Sequence, residues 1–297
     1  MTGSSTIDAL LDRMNRGDRL SIDEISALTE APDILPLGML ADAVRRRVRG
    51  TKVTYLRVAV CRVDQSFTDA VPPAAREIRI TGAPATLEVA VTAVRSAKAV
   101  AGDRAVSGFA WSDIERVAAA AETRISKALE ALRSAGLDAV AELPIDALPD
   151  AVVGILTDAG FRRLRLTIEN APAADRRRLM QRAAALQDRY GSIQTLNPLP
   201  MVLQPFKPTT GYEDVKTVAM ARLAAPNIPS IQVDWSRYGP KLAQVALTFG
   251  ADDLDNVTAA DDAPDGRRRA PVEEVRRNIE AAGFTPAERD GRFMHPG

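Results

Sequence analysis

The sequence predicts an α/β fold, a TIM-barrel-like (β/α) parallel barrel with helices before it and a helical extension after it. Three observations lead there. After Gly50 the apolar residues leave helical spacing and gather into short runs, beginning with Val53–Val60. From there to Phe249, strand-like and helix-like segments alternate strictly, which implies a parallel sheet. The number of strands, and the lack of a G-x-G-x-x-G turn, favour a closed barrel over a doubly wound sheet.

Each element has its own reason. Ile7, Leu10, Leu11 and Met14 stand at helical spacing, and Gly17 stops that helix. Ser21 and Glu24 form a capping-box pattern for a second helix through Leu28. A third runs from about Leu37 to Val48, carrying Arg45, Arg46 and Arg47 as a solvated charge run. Strands are expected at Val53–Val60, Glu77–Thr81, Ala105–Ala110, Ala139–Glu142, Arg163–Ile168, Ile193–Leu203 and Ile231–Trp235. The helices between them are Thr86–Val100, Ser112–Ser134 (broken near Glu122), Ala147–Ala159, Ala173–Tyr190, Tyr212–Leu223 and Pro240–Phe249. Residues Ala251–Arg269 are rich in aspartate and read as a loop, and a last helix, Val272–Ala282, ends at Gly283. The expected organisation is a helical segment at 1–50, the barrel at 51–250 and a loop-and-helix extension at 251–297.

Composition narrows the function. Hydrophobic residues make up 46% and charged residues 26%, which is globular rather than disordered. Lys+Arg and Asp+Glu are both 39, so a zero net charge gives no bulk attraction for nucleic acid or an anionic membrane. No apolar run is long enough to cross a membrane, and Met1–Asp8 lacks a signal-peptide pattern. One cysteine, Cys61, allows no intrachain disulfide and fits a reducing cytoplasm. The one histidine, His295, sits at the end of the chain, so no His-based metal or catalytic site is expected in its body.

Three stretches point to a family: residues 19–55 (RLSIDEISALTEAPDILPLGMLADAVRRRVRGTKVTY), 109–138 (FAWSDIERVAAAAETRISKALEALRSAGLD) and 214–235 (DVKTVAMARLAAPNIPSIQVDW), the last continued by 239–256. ALQDRYG at 185–191 and AGFTPAERD at 282–290 add to them. Together they resemble the radical S-adenosylmethionine (SAM) enzymes of the futalosine route to menaquinone, and the related synthases of the deazaflavin cofactor. GADDLD places the likeness nearest aminofutalosine synthase, with cyclic dehypoxanthine futalosine synthase second. The resemblance implies a barrel holding a [4Fe–4S] cluster on a CxxxCxxC loop after its VTY strand, with SAM on the fourth iron.

The chain departs from that pattern at each functional motif. Counted ungapped from Val53–Tyr55, the three cysteine positions fall on Phe67, Val71 and Ala74. Cys61 comes six residues before the first and reads as a small buried hydrophobe in the strand. The loop and helix expected next are missing, which makes the barrel reduced relative to those relatives. The family's PGGGAE aligns with Ala141–Asp146, so all three glycines are replaced and close backbone approach by a ligand is blocked. Its GHVE aligns with Ile168–Ala171, and a shift of two restores the glutamate at Glu169 but not the histidine. The expected cofactor set is therefore none, and no metal.

In a parallel barrel, function gathers at the C-terminal ends of the strands. Substrate-binding candidates there are Ser107, Asn197, Gln204, Gln232, Asp234 and Trp235, with Asp146 and Glu169 as weak catalytic candidates. Glu142 and Asp146, four apart, could share a rim, although solvated loop carboxylates are the simpler reading. Asp252, Asp253 and Asp255 lack the D-x-D-x-D-G spacing of a calcium loop, and the resemblance makes them a structural turn.

The sequence thus suggests a cytoplasmic, cluster-less radical-SAM-like homologue: a pseudoenzyme acting as partner or accessory protein in menaquinone biosynthesis. Its expected partners are a catalytic radical SAM homologue, in a homo- or hetero-oligomer, and a small-molecule pathway intermediate. One alternative is an enzyme with altered, non-radical acid–base chemistry on an enolpyruvyl-benzoate or futalosine-type intermediate. Another is aminofutalosine synthase-type activity with a partner subunit.

Overall fold

Strand β1 (Lys52–Arg62) is the strand on which the sheet closes. In the computed structural model, which describes residues 2–68, 70–200, 211–260 and 271–294 (2–6 and 22 as backbone only), it pairs with three others, all parallel. Its C-terminal half pairs with β2 (Glu77–Thr81), from Val58↔Glu77 to Arg62↔Thr81. Its other edge pairs with β8 (Asp253–Thr258). The intervening strands are β3 (Ala105–Ala110), β4 (Ala139–Pro144), β5 (Leu164–Ile168), β6 (Ile193–Pro198) and β7 (Ser230–Asp234), paired in chain order. The result is a closed eight-stranded parallel barrel. A ninth strand, β9 (Thr285–Glu288), lies beside the N-terminal half of β1, from Lys52↔Thr285 to Tyr55↔Glu288.

Three helices precede the barrel: α1 (Thr2–Arg16), α2 (Ile22–Glu30) and α3 (Leu35–Arg49). Ser21 caps α2 as the sequence predicts. Glu24 N–H donates to Ser21 Oγ at 3.2 Å, and Ser21 N–H donates to the Glu24 carboxylate at 2.7 Å. The barrel helices are α4 (Leu87–Ala101), α5 (Trp111–Ala120), α6 (Ile125–Ala135), α7 (Ala151–Asp158), α8 (Ala173–Tyr190), α9 (Gly211–Ala224) and α10 (Trp235–Thr248). Helix α11 (Pro271–Ala281) leads to Gly283, whose φ of 82° is the left-handed stop a glycine supplies. The break between α5 and α6 falls where expected, with Glu122 at φ 49°. Residues 63–76, between β1 and β2, form turns with no helix among the described residues.

Four expectations need correction. Residues 251–269 are not simply a loop, because β8 occupies 253–258 and completes the barrel. The aspartates here are buried against arginines: Asp252 with Arg222 and Arg49, Asp253 with Arg289, and Asp255 with Arg79. For the same reason Asp252, Asp253 and Asp255 are not a turn. Arg45 is not on a solvated face either. It is fully buried, donating to Asp42 at 3.0 Å with its guanidinium 4.0 Å from the centre of the Phe284 ring. Helix α10 begins at Trp235 rather than Pro240, with a kink at Gly239 (φ 71°) just before the proline.

Candidate functional site

Alternation along a strand sends every second side chain into the barrel. Glu77 and Arg79 on β2, Arg165 and Thr167 on β5, and Asp253 and Asp255 on β8 are each two apart, and they meet inside. Arg165 donates to both Glu77 oxygens, at 2.9 and 2.6 Å, and Ser107 Oγ donates at 2.6 Å. Arg79 bridges Glu77 (2.8 Å) and Asp255 (3.0 Å). Asp253 accepts from Arg289 at 2.6 and 2.7 Å and from Gln232 at 2.6 Å, and Thr54 also donates to it. Burial opposes the ionisation of Glu77, but Arg165 and Arg79 outweigh it and hold the carboxyl well below the usual range. Burial likewise opposes Asp253, and Arg289 more than compensates.

The chain after β9 seals the floor of this lattice. Gly291 O accepts from Arg165 at 2.6 Å, and the Arg289 guanidinium lies 4.0 Å from the centre of the Phe293 ring. Glycine is required at 291, since a Cβ there would meet Glu77 Oε2 and stand 2.7 Å from Ala105 Cβ.

Above the lattice, at the C-terminal ends of the strands, lies a cavity of about 140 Å³. Its walls carry Glu142, Glu169, Asn197, Asp234, Asp255 and Arg237. Glu142, on β4, opens onto this mouth. The protein around it pushes its carboxyl pKa up, and neighbouring Glu169 adds to the rise. Glu169 accepts from Thr167 Oγ1 at 3.0 Å. Asn197 is 4% exposed, and its Oδ1 has no hydrogen-bond partner among the described residues. Asp234 caps α10, accepting from Arg237 N–H (3.0 Å), Ser236 Oγ (2.7 Å) and Asn256 Nδ2 (3.2 Å).

The structure distributes the sequence candidates over three places. Glu169, Asn197, Gln232 and Asp234 line the mouth. Ser107 is buried below it, bonded to Glu77. Trp235 is buried in the hydrophobic core at the start of α10. Asp146 and Glu142 do not share a rim. Asp146 instead accepts the backbone N–H groups of Glu169 (3.2 Å) and Asn170 (2.8 Å), which fixes the turn that carries Glu169. Gln204 and His295 lie outside the described residues. Sequence reasoning missed Arg79, Arg165 and Asp255. The two-residue spacing of Glu77 and Arg79 within a five-residue strand was the available signal.

Comparisons with known proteins agree with this architecture. Residues 198–295 match the family described as the CofH/MqnC C-terminal region. A 5-amino-6-(D-ribitylamino)uracil–L-tyrosine 4-hydroxyphenyl transferase of Archaeoglobus fulgidus is 36% identical over 118 residues, 35% of this chain and 34% of that protein. The aminodeoxyfutalosine synthase of Thermus thermophilus is 32% identical over 133 residues, 38% of this chain and 34% of that one. That of Streptomyces coelicolor is 38% identical over 93 residues, 28% of this chain and 23% of that one. The chain thus spans about a third or less of the length of the curated relatives it matches. Among solved structures, the FeFe-hydrogenase maturase HydG from Carboxydothermus hydrogenoformans superposes with a TM-score of 0.65 at 12% identity, covering 96% of this chain and 80% of that one. Methylornithine synthase (PylB) gives 0.66 at 14%, covering 94% and 97%. The structural matches show the fold, and the sequence matches make the chain a relative, at modest identity, of the radical SAM enzymes of the futalosine/CofH type.

The residues present do not fit the iron–sulfur cluster of such enzymes. Cys61 is fully buried on β1, 4.0 Å from Ala70 O, and burial raises its thiol pKa away from the thiolate a cluster needs. Phe67, Val71 and Ala74 offer hydrocarbon only, and among the described residues no three of His, Cys, Asp and Glu converge as metal ligands. At the three positions aligned with the relatives' glycines stand Glu142, Leu143 and Pro144, of which Leu143 is a fully buried core side chain.

Proposed function

We propose that this relative of the futalosine/CofH-type radical SAM enzymes is a cluster-less homologue: an accessory protein of menaquinone or related cofactor biosynthesis, working in the cytoplasm beside a catalytic radical SAM homologue. One observation carries the reading. The sole cysteine of the chain is a core side chain of β1, and hydrophobic residues stand at the three ligand positions. Three thiolates are what hold such a cluster, and they leave one iron for SAM. Anaerobic reconstitution of the purified chain with iron and sulfide tests it directly. The expected product lacks the ~400 nm charge-transfer absorption and binds no stoichiometric iron. A stoichiometric [4Fe–4S] spectrum would overturn the reading, as would SAM turnover by the purified chain.

A second reading, non-radical acid–base chemistry on an enolpyruvyl-benzoate or futalosine-type intermediate, is supported by the pairing of Glu142 with Glu169 at one cavity. A carboxyl with a raised pKa beside a second carboxylate is a usual acid–base arrangement. In that case Glu142 is the acid, Glu169 is the base, and Asp146 is a positioning residue. Conversion of such an intermediate by the wild-type chain, lost in Glu142→Gln, is the result this reading requires. No conversion by the folded wild-type chain would end it.

A further inference from the structure

We propose that the protein associates with a second copy of itself, through the outer face of α3 and the parts of α9 and α10 beside it. The inference concerns the outer wall of the barrel and goes beyond the readings above without resting on them. Eight large apolar side chains are well exposed among the described residues, and four of them belong to this face. Leu35 (64% exposed) and Met39 (57%) stand one turn apart on α3. Tyr212, in the first turn of α9, donates its hydroxyl to Pro32 O at 3.0 Å, which ties it to the start of α3. The adjoining Gly211 lies against α10, where a Cβ would stand 2.7 Å from Leu242 Cδ1. The Phe249 ring at the end of α10 packs on Gly38, 2.9 Å from where a Cβ would be, and exposed Val245 comes one turn before it. Leu35, Met39, Tyr212 and Val245 thus surround the junction of three helices. Single exposed apolar residues are ordinary, whereas a contiguous group marks a contact site.

The charges beside this group select the occupant. Asp33 is exposed at the N-terminal end of α3, accepting from Leu35 N–H at 2.9 Å. Leu35, Met39, Asp42 and Arg46 follow one line along the helix, at spacings of four, three and four. Asp42 is shared by Arg45 and Arg46, so this end keeps a surplus of positive charge, and about half of the Arg46 side chain is exposed. At 1.5 Å per residue, Asp33 lies about 9 Å before Met39 and Arg46 about 10.5 Å after it. A two-fold axis at Met39 lays a second α3 antiparallel on the first. Met39 then meets the second copy's Met39, and Asp33 meets the second copy's Arg46 at both ends. An acidic end, an apolar centre and a basic end at matched distances make the face complementary to itself, as an isologous dimer requires.

Sedimentation velocity of the full-length chain across micromolar concentrations tests this. A concentration-dependent dimer is expected. Met39→Glu should weaken it by about tenfold or more, because the axis brings the two added carboxylates together. Asp33→Lys and Arg46→Glu should each weaken it by about threefold or more, and the two together should restore it, with circular dichroism confirming the fold. Cys61 is fully buried, so Met39→Cys supplies an accessible thiol that should cross-link under mild oxidation much faster than one from Val89→Cys, exposed on α4. A folded chain that is monomeric at every concentration refutes the proposal. So does a dimer that Met39→Glu leaves intact, a charge exchange that restores nothing, or a Met39→Cys chain that cross-links no faster than Val89→Cys. A monomer whose face instead binds a catalytic radical SAM homologue overturns the second copy as occupant.

Discussion

Replacing Glu77 with glutamine should be among the most destabilising single changes available in this barrel. The Glu77 carboxylate is fully buried and accepts from Arg165, Arg79 and Ser107. Glutamine keeps the shape but removes the charge, and it turns an N–H₂ group toward two guanidiniums that can only donate. Arg165, whose Nε already lacks a partner, would keep only one of its two bonds to residue 77, and that one to a neutral oxygen. Removing one side of a buried ion pair costs about 3–5 kcal/mol. At about 2.1 cal/mol/K per residue, a chain of 297 residues loses about 0.6 kcal/mol for each degree of Tm, so the expected drop is about 5–8 °C. Scanning calorimetry at pH 7 measures it. The depressed pKa of Glu77 adds a second signature. Its stabilisation is present above the unfolded-chain value near ~4.3 and is lost as pH falls through the lower folded value. The gap between wild type and variant should therefore be constant from pH 7 to about 5 and shrink below about 4. A Tm change under 2 °C, or a gap that ignores acid, would refute the ion-lattice account of the interior.

Other changes test other parts. Cys61→Ala should cost about 1–2 kcal/mol in urea unfolding, since Cys61 acts as a packed hydrophobe. Gly291→Ala should cost about 1–3 kcal/mol by pushing into Glu77 and Ala105 at the barrel floor, read by the same unfolding experiment. Arg45→Met should be neutral or stabilising. Both terminal nitrogens of Arg45 are buried without partners and burial lowers its pKa, so a linear apolar chain against Phe284 relieves a desolvation cost that thermal unfolding will register. Asp146→Ala should cost about 1–2 kcal/mol in thermal unfolding, by leaving two backbone N–H groups without their acceptor.

What could be read in the sequence was local. The capping box at Ser21 and Glu24, the stop at Gly283 and the break at Glu122 each depend on residues within a turn of one another, and each occurs where expected. The barrel strands rich in β-branched and apolar residues, such as Val53–Val60, were equally plain. Strand β8 was not, because its aspartates are neutralised from a distance: Asp253 by Arg289, 36 residues on, and Asp255 by Arg79, 176 residues back. Nothing near either carboxylate in sequence announces its partner. Arg45 was misread for a related reason, since the ring it covers, Phe284, lies beyond the barrel in sequence. Strand β9 was hidden by Pro286, which normally argues against a strand and is tolerated at the end of the sheet, where β9 pairs with β1 alone. Within the site, Asn197 and Glu169 were legible as strand-end positions. Asp146 was legible as a carboxylate near the rim, but not as one turned under the backbone.

The charged interior and the character of the mouth have one cause. Barrels of this kind are usually filled by layers of Val, Ile and Leu. Here Glu77, Arg79, Arg165, Asp253, Asp255 and Arg289 fill much of the space, and nearly every one is buried. Buried arginines must find acceptors, so the lattice draws inward the donors of Arg79, Arg165 and Gln232 that would otherwise face the cavity. The carboxylates below are matched by those cations, whereas Glu142 and Glu169, one layer higher, make no ion pair among the described residues and share their cavity with Arg237. A hydrocarbon interior would have left the polarity of the mouth to the rim loops alone. With this one, the strands themselves set it, because the acceptor-rich layer begins where the arginines end.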